Sequence, residues 1–488
     1  MKYQLAKKVL FLVLSGFVAI FALGAITNLI HERLYYQSEA KQSVANSWSD
    51  QQQLLGPFLV IQYQYQVLTP TWNKESESYI DKPVKKEAQI YLIPEKMHIN
   101  ATMSTQERSR GIFSFPVYTT QLDVAGKFDL SPLQALYDRD DVVNIYHPYL
   151  SVPVSDMRGI NNKPVLAWQG KQIDFESGSQ MRFNPQGLHV PMPNLSVGNG
   201  EFSYHLSLRG MDSFWFTPTA KDTQVTMSAA WPHPSFVGQF LPTERHIGTD
   251  KFDAKWQVSE FSSNIMQQLN ECIEGECSAL AYNRFGVTLA SPIEIYSQSI
   301  RSTKYGLLFV GLTFVSFFVF EVLKQLRIHP IQYTLVALSL SVFYLLLIAL
   351  SEHVGFLGAY SLATLACVSL LAFYIASILK NYRWGVGFGG LLTFLYGLLY
   401  LILSSEDHAL MLGATLVFAT LTIVMIATRH LDWYGISDWA TEKAKAQLYK
   451  AQEEEHEETI EEWMTDDEKT PNTKEDIEKQ SNPDNLPR

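Results

Sequence analysis

Cysteine is scarce. Three occur in 488 residues, which excludes a disulfide-dense scaffold and leaves no Cys-rich zinc module. Basic residues are not in excess either: 38 Lys and Arg face 49 Asp and Glu. The chain therefore lacks the basic surface that nucleic acid requires, and nucleic acid is excluded as a partner. Short catalytic signatures are missing too. There is no G-x-S-x-G elbow, no H-E-x-x-H and no phosphate-binding G-x-x-x-x-G-K-[ST] loop. His31-Glu32 is not followed by a histidine at ligand spacing. Gly385, Gly387, Gly389 and Gly390 imitate a nucleotide loop, but they sit in an apolar run that follows no strand. Gly385-x-x-x-Gly389 reads instead as a close helix-packing face. The chain accordingly reads as a non-enzyme, with no catalytic, cofactor-binding or metal residue assigned and no cofactor.

What is present is a partition. The mean hydropathy of −0.02 averages a polar, aromatic middle with strongly apolar flanks. One apolar run covers 9–30, after Lys2, Lys7 and Lys8; five more cover 305–323, 331–350, 357–379, 384–403 and 409–428. Each is about 20 residues, the length that crosses a hydrocarbon core of about 30 Å. The first is long enough to favour an uncleaved anchor over a cleaved signal peptide. Lys324 and Arg327 occupy one link and Lys380 and Arg383 another, and Arg429 follows the last run. The alternate links, 351–353 and 404–408, carry no Lys or Arg. The positive-inside rule then puts both termini in the cytoplasm and 31–300 outside, in the periplasm.

The expected fold class is an α-helical integral membrane protein with six transmembrane helices, N-in and C-in. A large β-rich periplasmic domain is inserted between helices 1 and 2. The expected domains are 1–30 (cytoplasmic N-terminus and helix 1), 31–300 (β-rich), 301–429 (helices 2–6) and 430–488 (acidic cytoplasmic tail). Within the second, 31–48 continues as helix. After Gly56-Pro57 the alternation in PFLVIQYQYQVL marks a half-buried strand. Further strands are expected at 87–93, 98–105, 111–122, 123–128, 172–183, 188–191, 202–208, 213–217, 224–230 and 251–258, with helices at 131–138 and 261–269. Many short strands between turn residues suggest an antiparallel sandwich or a pair of β-modules. The prolines of Trp231-Pro-His-Pro-Ser-Phe argue for a loop exposing Trp231 and Phe236. From 451 on there are 14 acidic and 4 basic residues, ten of the eleven net negative charges. That density is expected to be disordered.

Ionisable residues near membrane depth are the functional candidates. Glu321 lies near the cytoplasmic end of the second helix, where it could serve an ion path or simply pair with Lys324 or Arg327. Arg301 and Lys304 mark that helix's outer end. Glu352 and His353 lie in one outer link and Glu406, Asp407 and His408 in the other; together they would form a His/carboxylate cluster, though interfacial loops are normally polar. His353 is the residue type that senses acidity. Cys272 and Cys277, in ECIEGEC, read as a small disulfide loop in an oxidising compartment, with a zinc site completed by distant ligands the weaker alternative. Cys367 reads as a packing residue.

The strings RSTKYGLLFVGLTFVSFFVFE and IHPIQYTLVALSLSVFYLLLIALSEHVGFLGAY closely resemble the CreD-type inner-membrane proteins, described as cell envelope integrity proteins. ERSRGIFSFPVYTTQL, AWPHPSFVGQFLP and FGVTLASPIEIYSQSIRS extend the likeness, which covers about 5–431. The resemblance implies a multi-pass protein of the bacterial inner membrane tied to envelope stress and to tolerance of colicins and β-lactam antibiotics. It implies no established active site. Its expected partners are the lipid bilayer and, through the periplasmic domain, envelope proteins or cell-wall components. Two readings stand: a sensing or scaffolding module on a helical anchor, or a helical bundle that transports or modifies a lipid-linked envelope component.

Overall fold

The computed structural model describes residues 2–73, 77–193, 195, 200–290, 295–323, 329–405 and 408–429. They form two compact units. One comprises Ile26–Ile300 and Ile348–Ala359; the other comprises Met1–Ala25, Arg301–Leu347 and Tyr360–Arg488. The acidic stretch from 451, Lys324, Arg327, Glu406 and Asp407 lie outside the described residues.

The first unit is β-rich, as expected, and its described strands build three sheets. The largest runs in the order Glu244–Ile247, Phe252–Ser259, Asp222–Ala229, Pro94–Arg110, Phe113–Phe128, Gly200–Met211, Val165–Trp168, Lys171–Asp174. Its centre is legible in the sequence. Met97, Ile99, Ala101 and Met103 are buried while Lys96, His98, Asn100 and Thr102 between them are exposed. Phe252, Ala254, Trp256 and Val258 repeat the pattern. Period two places one set inward because successive strand side chains point to opposite faces. The predicted strands 111–122 and 123–128 are one continuous strand. It pairs with Pro94–Arg110 on one side and Gly200–Met211 on the other.

The second sheet runs Glu176–Ser177, Gly187–Pro191, Tyr149–Pro153, Phe58–Asn73, Ser78–Leu92, with Val142–Ile145 also paired to Phe58–Asn73. The third, of four strands, runs Gln52–Leu54, Ser213–Phe216, Phe285–Leu289, Pro234–Gly238. Two pairings are parallel, Gln52–Leu54 with Ser213–Phe216 and Asp222–Ala229 with Pro94–Arg110, so of the two expected arrangements, an antiparallel sandwich or a pair of β-modules, the all-antiparallel one does not describe the unit. One core cluster draws on all three sheets, joining Leu59 and Ile61, Ile99, Val124 and Leu206, and Phe214, Phe216 and Phe285.

The segment read as an exposing loop is corrected. Pro234–Gly238 is a strand paired to Phe285–Leu289. Its proline stands first in an edge strand, where a missing N–H costs no ladder bond. Trp231 and Phe236 are half-buried against the main core. Trp231 donates its indole N–H to the Ala290 carbonyl at 3.2 Å. The helix expected at 131–138 spans Ser131–Tyr137 with Pro132 in its first turn, although Leu130, not Ser131, is the N-cap. The helix expected at 261–269 is two, Glu260–Ser263 and Ile265–Ile273, broken at the left-handed Asn264.

Val13–Ser47, Ile331–Ile378, Tyr382–Ser404 and Ala409–Ile426 are, among the described residues, long and apolar enough to cross a membrane. The first belongs to a helix running Lys2–Ser47, which covers the extension expected at 31–48 except for its last residue, Trp48. The run 305–323 lies on the helix Ile295–Leu323. The two runs expected at 331–350 and 357–379 form one helical stretch, Pro330–Leu379, interrupted at Gly355 with φ 73° and ψ 168°. Only glycine occupies that region without strain, so the break is written into the sequence. Gly385 and Gly389 face Ala376 and Ala372: a Cβ on Gly385 would stand 2.5 Å from the Ala376 Cβ, and one on Gly389 3.0 Å from the Ala372 Cβ. This is the close packing that small residues permit between apolar helices. Ser15 and Thr334 share a 2.8 Å hydrogen bond between helices, and the Tyr360 hydroxyl donates to the Tyr396 carbonyl at 2.6 Å.

Candidate functional site

The β-rich unit carries an open polar cleft of about 550 Å³, lined in part by Asp50, Gln53, Asp156, Arg158, Trp215 and Arg284. Its floor is set where the long N-terminal helix ends. The helix stops at Ser47 and the chain turns through Ser49 and Asp50 into the strand Gln52–Leu54. Arg158 closes that end. Its Nη1 donates to the Asn46 carbonyl at 2.9 Å, placing a cation on a helix C-terminus where carbonyls lack partners. The same guanidinium grips Asp156, Nε to Oδ1 at 3.0 Å and Nη2 to Oδ2 at 2.7 Å. Ser49 Oγ and the Asp50 N–H also donate to Asp156, at 2.9 and 3.2 Å.

Beneath them Gln52 is fully buried. Its Nε2 donates to the carbonyls of Asp156 and Arg209, both at 2.9 Å. Its backbone N–H donates to the Tyr118 hydroxyl at 3.2 Å, and that hydroxyl donates on to the Ser213 carbonyl at 2.6 Å. Burial pushes the Tyr118 hydroxyl far above the usual tyrosine range, so it remains a donor at every working pH. Trp48, on the same turn, has the guanidinium carbons of Arg108 and Arg209 at 4.8 and 4.9 Å from its ring centroid.

Burial alone would raise the Asp156 carboxyl. The hydrogen bonds from Arg158, from the backbone N–H groups of Asp50 and Arg158 and from Ser49 outweigh it and hold the group at about 2. A depressed carboxyl contributes stability that is present above its unfolded value and lost as pH falls through the folded one. Unfolding of the β-rich unit followed from about pH 4 down to about pH 2 should therefore show a loss of about 1 kcal/mol after solvent screening. Asp156→Asn should abolish that component; an unchanged acid limb in the variant would remove Asp156 from the account.

The cleft's other wall holds a cation on an aromatic face. The Arg284 guanidinium carbon lies 4.1 Å from the Trp215 ring centroid, and its Nη1 donates to Gln53 Oε1 at 3.4 Å. Trp215 Nε1 donates to Gln51 Oε1, also at 3.4 Å. Beside this cleft a smaller cavity of about 140 Å³ is lined by residues including Leu55, Phe183, Cys272 and Cys277. Cys272 and Cys277 are joined by a disulfide. Cys272 is buried with Leu55, Phe58, Ile265 and Leu269.

The residues singled out from the sequence lie elsewhere. Glu352 meets Arg33 at 3.6 Å and its side chain is 11% exposed; His353 beside it is exposed. Arg301 is half-buried and Lys304 exposed on the helix Ile295–Leu323. Glu321 is on that helix's last turn, and its side chain is outside the described residues. Of the second outer link, His408 is exposed, while Glu406 and Asp407 are outside the described residues. Among the described residues no group of three or more His, Cys, Asp or Glu is arranged to hold a metal. The cleft residues were not anticipated. They come from five separated segments, and the three consecutive glutamines after Asp50 are the one local hint.

A polar cleft on a β-rich unit, in a chain with four helices among the described residues able to cross a membrane, defines a membrane protein with a ligand-sized recess. The family model for the inner membrane protein CreD matches residues 4–434. Inner membrane protein CreD of Escherichia coli strain K12 is 32% identical over 416 residues, covering 84% of this chain and 90% of that protein. The chain belongs to the CreD family of inner membrane proteins. Among solved structures, an M1 zinc metallopeptidase from Deinococcus radiodurans aligns over 34% of this chain and 39% of its own, at 9% identity and a TM-score of 0.19. Native yeast LTA4 hydrolase aligns over 46% and 35%, at 11% identity and a TM-score of 0.20. Likenesses this weak carry no inference about fold or function.

Proposed function

We propose that this protein maintains the cell envelope as a non-catalytic, multi-pass inner-membrane protein, with its β-rich unit acting as a periplasmic sensing or scaffolding module. Six transmembrane helices with both termini in the cytoplasm anchor it. The charge pattern of the short links supports that orientation, and the break at Gly355 falls between two of the six runs. The observation that carries the reading is the cleft. Its frame is tied by the Arg158–Asp156 fork to the end of the N-terminal helix, which supports a recess formed before anything binds, as ligand sites usually are. The test is complementation of a deletion strain. The β-rich unit on the 9–30 anchor alone should restore envelope tolerance to β-lactams or colicins.

The rival reading, a bundle that transports or modifies a lipid-linked envelope component, has one observation in its favour. The hydroxyls of Tyr344 and Tyr396 are buried in the helical unit without a hydrogen-bond partner among the described residues, and buried polar groups are normally paired. Loss of tolerance on Glu321→Gln in a stable, inserted protein, with no rescue by the anchored β-rich unit, decides for this second reading.

A further inference from the structure

The cleft's charges point to its occupant. Arg158 and Asp156 neutralise one another in a two-bond fork. Two other charged groups line the same recess, Asp50 and Arg284. Neither takes part in an ion pair among the described residues, with each other or with a third group. Arg284 lies on the Trp215 face, which fixes its plane. The guanidinium's one hydrogen-bond partner among the described residues is the Gln53 amide oxygen at 3.4 Å, which leaves most of its five N–H donors unused. Asp50 is exposed, with one oxygen accepting the Gln51 N–H at 2.8 Å and the other open. One recess thus presents a flat guanidinium fork and a carboxylate that do not satisfy each other.

We infer that the cleft takes a short zwitterionic peptide, its carboxylate held by Arg284 and its ammonium by Asp50. This rests on the reading of the β-rich unit as a binding module and names its ligand class. A guanidinium on an aromatic face is suited to a planar carboxylate, which it meets with two parallel N–H donors. The amides of Gln51, Gln53 and Gln186 line the same space, and a primary amide both donates and accepts, as peptide groups do. A volume of about 550 Å³ is in the range of sites for small ligands. A simple anion such as phosphate would satisfy Arg284 and be repelled by Asp50. A neutral sugar would cover both charges and pair neither, which costs affinity.

Titration calorimetry on the full-length protein in detergent micelles tests this with tri-L-alanine as the probe. Saturable binding at millimolar concentration or below is expected. Acetylating the probe's amine, or amidating its carboxylate, should each weaken binding about tenfold or more, the scale of a lost charged contact. Asp50→Asn should make the acetylated and free probes equivalent, and Arg284→Gln should do the same for the amide and the acid, as a double-mutant cycle requires. The modified probes act on the unaltered protein, so the result does not depend on either variant folding. No saturable binding, equal affinity for all three peptides, or phosphate competing as well as the peptide would each overturn the inference. Restored tolerance by the anchored β-rich unit alongside any of those results would remove the peptide and leave the module; loss of tolerance with peptide binding intact would do the reverse.

Discussion

Trp256→Ala should lower the stability of the β-rich unit by about 4 kcal/mol, the largest effect expected of a single truncation there. Trp256 is fully buried. Its ring lies 5.6 Å from Phe285 and 5.8 Å from Phe236, centroid to centroid. Those two rings belong to the four-stranded sheet, while Trp256 belongs to the eight-stranded one, so the indole packs one sheet on another. Alanine would leave a void that neither sheet can close without shifting its own ladder, and unrelaxed voids are what make such truncations costly. Trp256→Phe keeps most of the volume and should lose less than half as much. Urea unfolding followed by tryptophan fluorescence measures both. A midpoint for Trp256→Ala within error of the parent would show that the two sheets are not held together here.

The second large effect is Gly159→Ala, at about 3 kcal/mol. A Cβ at Gly159 would stand 2.2 Å from Gln52 Nε2, 2.4 Å from the Arg209 carbonyl and 3.1 Å from Ser49 Oγ. Two of these groups are a hydrogen-bonded pair, Gln52 Nε2 with the Arg209 carbonyl, and neither has room to move. Displacing the buried Gln52 would break its bonds to the part-buried carbonyls of Asp156 and Arg209 and leave its own amide without those partners. The cleft floor would loosen with it, so the variant should also lose whatever the cleft binds, even at temperatures where the unit is folded. Native-state hydrogen exchange at Gln52, Gly159 and Arg209 reads the effect directly, and unchanged protection at all three would refute it.

The parts of this fold that the sequence displayed share one property: they depend on local pattern. The alternation at 97–103 and 252–258 shows which face is buried, because strand geometry has a period of two. Apolar runs show themselves by length. Cys272 and Cys277 are close enough in sequence to suggest their bond. What stayed hidden depends on distant meetings. Gln52 pairs in parallel with Phe214, and nothing within either segment announces the other. The prolines at 232 and 234 argued against a strand, and only an edge position makes one admissible; edge position is a property of the sheet. Tyr149–Pro153, buried at every residue, and Phe285–Leu289, with four of five buried, lack the alternation that marked other strands, since both faces are covered. The cleft is the extreme case. Glutamine, tryptophan and arginine carry no motif, and their meaning lies in Asp50, Ser155, Trp215 and Arg284 converging from across some 230 positions.

The four-stranded sheet has a consequence for how the chain is made. Phe285–Leu289 lies between Ser213–Phe216 and Pro234–Gly238, so those two strands wait for a partner synthesised after both. Gln52–Leu54, at the sheet's edge, waits longer still for Ser213–Phe216. Contacts that close such long loops form late and slowly. Through most of its synthesis, then, the unit presents unpaired strand edges and uncovered aromatic rings, and it seals only as its last strand emerges. A nascent chain halted before Phe285 is therefore a client for chaperones or proteases rather than a smaller version of the domain. By strand order alone, the last edges to be covered in this sheet await five residues near the end of the β-rich unit.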